Sequence, residues 1–495
     1  MSSVKKNIAW SLSSNILPLL VGLVLFPKII VAYGLDQFGI LTLVWALIGY
    51  FSLFDLGLSR ALTQQVSDYI VKDKSDFDIA QLIRTGFISM WLLGIIGGLV
   101  LWQCSPIIIH TFLKIPESLQ ADSLQAFALL SLSIPLVVHT AALRAVLEAL
   151  HRFKSASIIR TILGVGSFLA PYLAGLLSPT LTNAVISLII TRALVWILHL
   201  YAVHHSKILS AKTRLFNLRQ LKPMLRFGSW MTISNIISPL MVYMDRFVVA
   251  SLLGVAATSY YVAPYEVITK LLVIPAALSG VLFPVFSKQW QKDPIHSAHL
   301  LKQGFSYTLL LLFPISVLAV FFAKEWLSIW LNPEFALQAR LVVSWLTIGV
   351  LINSTAQIVF AKVQGAGRSD WTAKLHLAEV LPYLALLYIS LYSFGIAGAA
   401  FAWCLRVTID LVGLLIFSKK INPASFQALK PSLWALIIAV CLLIPSIFDV
   451  SLTMRIIEVI LILLAYSWIL HRELRSDGML DKIKHAVYLQ ISKRT

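Results

Sequence analysis

Charged side chains inside long apolar stretches are the residues of this sequence that could do chemistry. An ionisable group at such a position costs about 2.5–3.5 kcal/mol on insertion scales. Groups kept at that cost normally face a bundle interior or water, where they bind ions or substrates or act as gates. The cations are Lys28, Arg144, Arg192, Arg246, Lys270 and Arg406, and the acids are Asp55, Glu148, Asp245, Glu266, Glu379, Asp410 and Glu458.

Three of the cations have an acid four residues away on the same helical face, close enough to neutralise them. A structural role and a functional role stay equally open for these pairs. Near a predicted helix end, Asp55 is expected to reach toward water, as are the two members of the first pair. The pairs are Arg144 with Glu148, Glu266 with Lys270, and Arg406 with Asp410.

The remaining cations have no acid at the next helical turn. Arg192 is followed one turn later by Trp196, and Asp245 and Arg246 are adjacent, so they point about 100° apart. The internal repeat described below places Asp245 one turn from Lys28, which predicts a Lys28–Asp245 gate that opens during transport. The alternative is that Lys28 reaches the outer surface. On another helix, Glu379 with His376 is either a proton relay or a pair of packed polar residues.

These charges stand in a chain built to cross a bilayer. Of its 495 residues 59% are hydrophobic and 13% charged, with a mean hydropathy of +0.85, whereas soluble domains carry about 25% charged residues. Helices are expected because open strands cannot satisfy their backbone in lipid. The fourteen predicted spans are 8–33, 37–57, 80–103, 122–148, 156–177, 182–203, 228–253, 261–286, 303–323, 339–362, 373–393, 396–418, 431–448 and 453–471.

The basic residues orient these spans. With the N-terminus inside, 30 of the 40 Lys and Arg fall on the cytoplasmic side. Only Lys114, Lys324, Arg340 and Arg455 fall outside. This asymmetry predicts an inner-membrane protein with both termini cytoplasmic. It also accounts for the net charge of +18 without nucleic acid as a partner.

A repeat is visible when the chain is shifted by 220 residues. Asn15 then meets Asn235 and Gly34 meets Gly254. With small gaps, Arg152 falls opposite Arg368 and Arg192 opposite Arg406. Each copy has six spans, so we expect two lobes related by a pseudo-two-fold axis along the membrane normal. The predicted division is 1–203 for the N-lobe, 204–227 for a linker, 228–420 for the C-lobe, 421–472 for two extra spans and 473–495 for a basic tail.

The linker is basic and amphipathic. It either lies on the inner leaflet, in contact with membrane lipids, or is a plain solvated connection. Cations near a cavity between two lobes suit an amphiphile with an anionic head, such as a lipid diphosphate. Arginine is a good phosphate partner because its planar fork donates two parallel hydrogen bonds.

Several motifs resemble the lipid-linked oligosaccharide flippases, the Wzx-type polysaccharide transporters of the MATE-like superfamily. The resemblance covers nearly the whole chain, and it is most specific around Asp245-Arg246-Phe247. The motifs are Tyr243-Met-Asp-Arg-Phe-Val-Val, Tyr260-Tyr-Val-Ala-Pro-Tyr, Asp55-Leu-Gly-Leu-Ser-Arg-Ala, Leu282-Phe-Pro-Val-Phe-Ser and Gly395-Ile-Ala-Gly-Ala-Ala.

This resemblance implies that an undecaprenyl-diphosphate-linked oligosaccharide moves from the cytoplasmic to the periplasmic leaflet by alternating access, for O-antigen, capsule or exopolysaccharide synthesis. Proton or sodium coupling, a polysaccharide polymerase as partner and a monomeric state are expected with it. The candidate diphosphate ligands are Arg192, Arg246, Lys270 and Arg406, with Asn15 and Asn235 as matched polar positions. The candidate gating or coupling residues are Lys28, Asp245, Glu266, Glu379 and Asp410.

Two other functions stay open. A cation-coupled multidrug exporter of the same superfamily would need acidic cavity groups, but the six cations nearly equal the seven acids in or at the ends of the spans, and several of these acids are already paired. A glycan polymerase or ligase would need a large outside loop, and the outside segments 104–121 and 324–338 are short. The sequence shows no nucleophile–base set and no cofactor motif, and Cys104, Cys404 and Cys441 lack metal-ligand spacing.

Overall fold

The computed structural model describes residues 2–51, 55, 57–206, 208–209, 216–290, 292–448 and 450–476. Side chains are described for these residues except 2–15, 226–240, 242, 289 and 468–476. Part of the predicted linker and most of the predicted tail lie outside the described residues, as do the side chains of Asn15 and Asn235.

Across the described residues the chain is helical and contains no strand, which confirms the all-α prediction. Short turns of other helix types extend α3 and α15 and join α8 to α9. The helices are α1 Ser2–Tyr50, α2 Leu58–Val71, α3 Asp76–Ile107, α4 Glu117–Ala149, α5 Phe153–Leu177, α6 Leu181–His204, α7 Leu218–Leu253, α8 Val255–Ile268, α9 Val273–Gln289, α10 Pro294–Phe321, α11 Ala323–Trp330, α12 Pro333–Gly365, α13 Ser369–Phe394, α14 Ile396–Ile421, α15 Pro423–Leu443 and α16 Leu452–Ser476.

Eleven helical segments among the described residues are long and apolar enough to cross a membrane. One of them, Ile16–Tyr50, covers predicted spans 1 and 2, which run through a bend at Gly34. Helices α7 and α16 cover predicted spans 7 and 14. The protein is therefore polytopic, and the count of fourteen stays a prediction.

The second predicted span is too long. It was placed at 37–57, but α1 ends at Tyr50 and α2, a separate amphipathic helix, begins at Leu58. Asp55 in this connection is buried and does not reach toward water as expected. Its carboxylate accepts hydrogen bonds from the backbone N–H of Gly57 and the hydroxyl of Ser59, because the start of α2 presents unsatisfied donors there.

The predicted repeat has a conformational counterpart at its glycines. Gly34 adopts φ 73°, ψ 169° and Gly254 adopts φ 94°, ψ 165°, a region that is essentially restricted to glycine. Ser259 donates a hydrogen bond to the Leu35 carbonyl at 2.7 Å. A Cβ on Gly39 would lie 1.9 Å from the Val255 carbonyl oxygen. Since Gly39 and Ser259 are 220 residues apart, as are Leu35 and Val255, these are matched contacts between the two copies.

A second matched pair is the turn that follows the fourth predicted span of each copy. His151, between α4 and α5, has φ 57°, and Gly367, between α12 and α13, has φ 77°. In both turns the residue after the left-handed one, Arg152 or Arg368, donates its N–H to a carbonyl five residues back. The two turns share one geometry at an offset of 216 residues, which agrees with the predicted repeat.

The helices pack into two compact units, residues 1–263 with 380–399 and residues 264–379 with 400–495. In the first unit α3, α4, α5 and α6 pack together and α1 packs on α5; in the second, α12 packs on α9 and α10. The two extra helices, α15 and α16, pack on α10. The lobe boundaries predicted at 203 and 228 stay a prediction.

We expect Gly34→Ala and Gly254→Ala each to destabilise the protein by about 1–3 kcal/mol, because alanine is strained at these dihedral angles. At Gly34 no atom lies within 4 Å of the added Cβ, so the cost would be conformational rather than steric. Thermal unfolding of the purified protein in detergent measures it.

The matched control is Gly280→Ala. Gly280 lies within α9, and an added Cβ there meets no atom within 4 Å. Alanine is the better helix former, so this change should leave the melting temperature unchanged or raise it. Equal effects of the three substitutions would contradict the assigned strain.

Candidate functional site

Arg192 lies in the middle of α6 and is buried. Its Nη1 donates to the Leu188 carbonyl one turn earlier, at 3.2 Å. No carboxylate among the described residues pairs with it within 4 Å. One turn later Trp196 donates its Nε1–H to His139 Nδ1 at 2.8 Å, so the aromatic neighbour is held by α4. Arg192 is a cation enclosed in apolar protein without a counter-charge in the described part of the chain, which is an expensive arrangement.

Asp245 and Arg246 are both buried near the end of α7. The Asp245 carboxylate accepts hydrogen bonds from the Tyr261 hydroxyl and from the backbone N–H of Arg246. The Arg246 guanidinium lies 5.2 Å from the ring centroid of Tyr243, which packs against Tyr50. Neither charged group is open to solvent in this conformation, so access to Arg246 requires a movement of the surrounding helices.

Lys28 does not contact Asp245 in this conformation. Its side chain is exposed and lies 5.7 Å from the ring centroid of Tyr172 on α5. Asp245 is satisfied by Tyr261, a partner that the sequence reasoning missed although its aromatic motif had been singled out. The predicted Lys28–Asp245 gate is therefore not closed here.

Lys270 and Glu266 form the ion pair that their spacing predicted. Lys270 Nζ lies 3.0 Å from Glu266 Oε2, and the lysine side chain is 46% exposed. Lys270 falls within the short turn Thr269–Leu272 that interrupts the helix between α8 and α9. Such turns often mark hinges.

Four ionisable residues on α13 and α14 form a cluster in the second unit, which we call the acid cluster: His376, Glu379, Arg406 and Asp410. Asp410 Oδ1 lies 3.5 Å from His376 Nε2, and the pair of Arg406 with Asp410 stays a prediction. Glu379 is buried, and neither of its carboxylate oxygens has a hydrogen-bond donor among the described residues. The charges of Asp410, Arg406 and His376 all act on Glu379.

Stacking against a third helix positions His376 within this cluster. Its ring lies parallel to that of Phe360 on α12, with ring centroids 5.9 Å apart. This contact with α12 holds the imidazole where Asp410 of α14 can reach it. Spacing in the sequence predicts pairs within a single helix, whereas the acid cluster contains residues from two helices, α13 and α14.

One buried cation was not recognised in the sequence. Lys362, in the last turn of α12, is completely buried and donates to the hydroxyl of Ser425 on α15. Its position near a helix end that the charge asymmetry predicts to be cytoplasmic made it resemble the other lysines predicted on that side. Only the packing of α15 over α12 encloses it.

The chain matches the model of the polysaccharide biosynthesis protein family over residues 34–337. It is 32% identical, over 82% of its length and 96% of the relative's, to a putative O-antigen transporter of Shigella flexneri. It is 25% identical to the lipopolysaccharide biosynthesis protein WzxC of Escherichia coli K12, over 58% of this chain and 56% of that one.

Solved structures give the fold. A lipid II flippase MurJ structure in an inward closed conformation matches with a TM-score of 0.69 at 17% identity, over 94% of this chain and 99% of that one. An inward-facing multidrug resistance MATE family transporter matches with a TM-score of 0.69 at 13% identity, over 82% and 95%. The fold is therefore that of the MATE and MurJ structures, and the chain belongs to the polysaccharide biosynthesis protein family.

Proposed function

We propose that this protein is a flippase that moves an undecaprenyl-diphosphate-linked oligosaccharide from the cytoplasmic to the periplasmic leaflet of the inner membrane, for surface polysaccharide synthesis. The observation that carries this proposal is the 32% identity to the O-antigen transporter over 96% of that relative's length. Both termini are cytoplasmic in this proposal, the protein acts as a monomer, and a polysaccharide polymerase receives its product.

The distribution of counter-charges supports an anionic cargo. Arg192 and Arg406 occupy matched positions of the repeat, but their surroundings differ. Arg406 has Glu379 and Asp410 nearby, whereas the Arg192 guanidinium donates to a backbone carbonyl. A cation kept without a counter-charge at membrane depth suits a phosphate, since a guanidinium binds it with two parallel hydrogen bonds. Arg192 and Arg246 are the diphosphate ligands that we favour, and Lys270 and Arg406 remain the other candidates.

Alternating access agrees with contacts on the predicted outer side. Lys114 Nζ donates to the Leu252 carbonyl at 2.7 Å, next to the matched contacts at Leu35 and Gly39. These contacts join the bend of α1 and the segment before α4 to the end of α7 and the start of α8. Opening them would release the product to the periplasm, and Lys28 could then approach Asp245 as the predicted gate.

The acid cluster is our candidate for coupling to an ion gradient. A hard metal cation takes several oxygen ligands, but here an arginine and a histidine lie beside the two carboxylates. A proton needs one oxygen only, and Glu379 offers two without donors. We therefore favour protons over sodium as the coupling ion, with Glu379 and Asp410 as acceptors and Glu266 as the alternative.

Deletion of the gene should abolish the surface polysaccharide and leave its lipid-linked repeat unit on the cytoplasmic side of the inner membrane. Immunoblotting of surface glycan and extraction of labelled lipid-linked oligosaccharide measure both effects. Ethidium sensitivity, tested in parallel, should be unchanged. Intact glycan together with ethidium hypersensitivity would replace the flippase by a drug exporter, and accumulation of the unit on the periplasmic side would indicate a polymerase or ligase.

Arg192→Leu should remove most surface glycan, at least tenfold, without lowering the melting temperature. An apolar side chain removes the cost of an unpaired buried charge, so the fold should be unaffected or stabilised. Complementation of the deletion strain at native expression, with thermal unfolding of the purified variant, measures both quantities.

The stability control is Arg455→Leu. Arg455 Nη2 lies 2.9 Å from Glu325 Oε1, so this substitution leaves the Glu325 carboxylate without its ion-pair partner. This variant should have a lower melting temperature. Full glycan production by Arg192→Leu would remove Arg192 from the transport mechanism.

Glu379→Gln should abolish the response of transport to a proton gradient, because glutamine has the same shape but exchanges no proton. The measurement is the initial flipping rate of lipid-linked oligosaccharide in proteoliposomes, with and without an imposed pH difference. Glu334→Gln, at an exposed position in the first turn of α12, is the control and should respond like the wild type. A wild-type response of Glu379→Gln would move coupling to another acid, and Glu266→Gln would be tested next.

A further inference from the structure

Two arginines from neighbouring helices converge on one glutamate at the cytoplasmic end of the first unit. Arg144 Nε and Arg160 Nη2 each lie 3.7 Å from the same atom, Glu148 Oε1. Arg144 and Glu148 belong to α4 and Arg160 to α5. We call this group the arginine pair with its bridging glutamate.

The arginine pair is poorly satisfied by Glu148. Charge-assisted hydrogen bonds are about 2.7–2.9 Å long, so both contacts are loose ion pairs. Each guanidinium has five N–H donors, and one shared oxygen leaves most of them without an acceptor among the residues that the structure describes. The side chains of Arg144, Glu148 and Arg160 are 46%, 33% and 42% exposed, so a ligand can reach them.

The surrounding charge is positive. Asp55 lies within electrostatic range of Arg144, but its carboxylate is already held by Gly57 and Ser59. Arg60 on α2 also acts on Asp55 and is exposed, which adds a third cation. The positive charges around this group therefore outnumber the negative ones, which favours the binding of an anion.

The second copy of the repeat shows that the fold does not require charges here. At the offset of 216 that relates the two turns, Arg144 corresponds to Phe360 and Arg160 to His376. Those two residues stack with their rings 8° from parallel. An aromatic contact is sufficient to join the helices in the second copy, so the charges of the first copy have another purpose.

The depth of the arginine pair matches a lipid phosphate. Arg144 lies five residues before the end of α4, which is about 8 Å along the helix axis. Arg160 lies seven residues after the start of α5, about 11 Å along its axis. The polar headgroup region occupies several ångströms on each face of a bilayer. Two forks on adjacent helices could each hold one phosphoryl group of a diphosphate.

We propose that Arg144 and Arg160 form the cytoplasmic receiving site for a lipid-linked diphosphate, and that Glu148 occupies both arginines until the diphosphate displaces it. This inference rests on the proposed function, because it names where the cargo is first bound. Two consequences of opposite sign follow. Removing either arginine weakens diphosphate binding, and removing the charge of Glu148 strengthens it.

The test uses full-length protein in phosphatidylcholine nanodiscs with farnesyl diphosphate as the probe and thermophoresis as the readout. We expect Arg144→Gln and Arg160→Gln each to raise the Kd at least tenfold, and Glu148→Gln to lower it severalfold. Arg152→Gln removes one positive charge from the adjacent turn and should change the Kd less than twofold. Thermal unfolding of each variant verifies folding, and Arg144→Lys and Arg160→Lys, which keep the charge and lose the fork, should bind with intermediate affinity.

The inference would be overturned by a higher or unchanged Kd in Glu148→Gln, or by an effect of Arg152→Gln as large as that of the arginine pair. It would also be overturned if farnesyl monophosphate competed as well as farnesyl diphosphate. Competition by phosphatidylglycerol at the same concentration would also overturn it and assign the site to a phospholipid headgroup. If the binding predictions fail while gene deletion still abolishes surface glycan, the receiving site is wrong and the flippase function stands. If deletion leaves the glycan intact, the proposed function fails whatever the Kd values are.

Discussion

The free-energy cost of placing a charge in an apolar medium determines where the cations of this protein lie and which groups contact them. Most of its cations lie where water can reach them, and those within the spans have individual solutions. Lys270 pairs with Glu266, Arg246 lies against an aromatic ring, and Arg406 has acids nearby. Arg192 alone among the candidate diphosphate ligands has neither an acid nor an aromatic ring recorded against its guanidinium in the described part of the chain. An interaction that is missing within the protein is a reason to expect one with a ligand.

The repeat gives this chemistry a geometric frame. Gly34 and Gly254 allow the same sharp bend in each copy, and the residues just beyond them contact each other in matched fashion. Because the two backbones approach so closely at Gly39 and Val255, a side chain at position 39 would separate them. Close approach of small residues is how membrane helices gain packing energy when lipid is as apolar as their surfaces.

The two predicted copies share a glycine bend and a turn geometry but carry different charges. Turns at His151 and Gly367 are equivalent, yet the helices beside the first carry an arginine pair and those beside the second carry a stacked aromatic contact. Acids gather instead around Arg406 in the second copy. This asymmetry supports the proposal that the first copy binds the anionic cargo and the second exchanges protons.

The sequence by itself determined the helical class, the membrane environment and the repeat, because hydropathy, charge asymmetry and glycine spacing are properties of single segments. It also predicted the pairs Arg144–Glu148 and Glu266–Lys270, which lie one turn apart on a single helix. Only the tertiary structure decided the partners that come from other helices: Tyr261 for Asp245, His376 for Asp410, Ser425 for Lys362 and Arg160 for Glu148. Spacing along one helix is set by its pitch, whereas contacts between helices depend on how whole faces pack, and no local pattern encodes that.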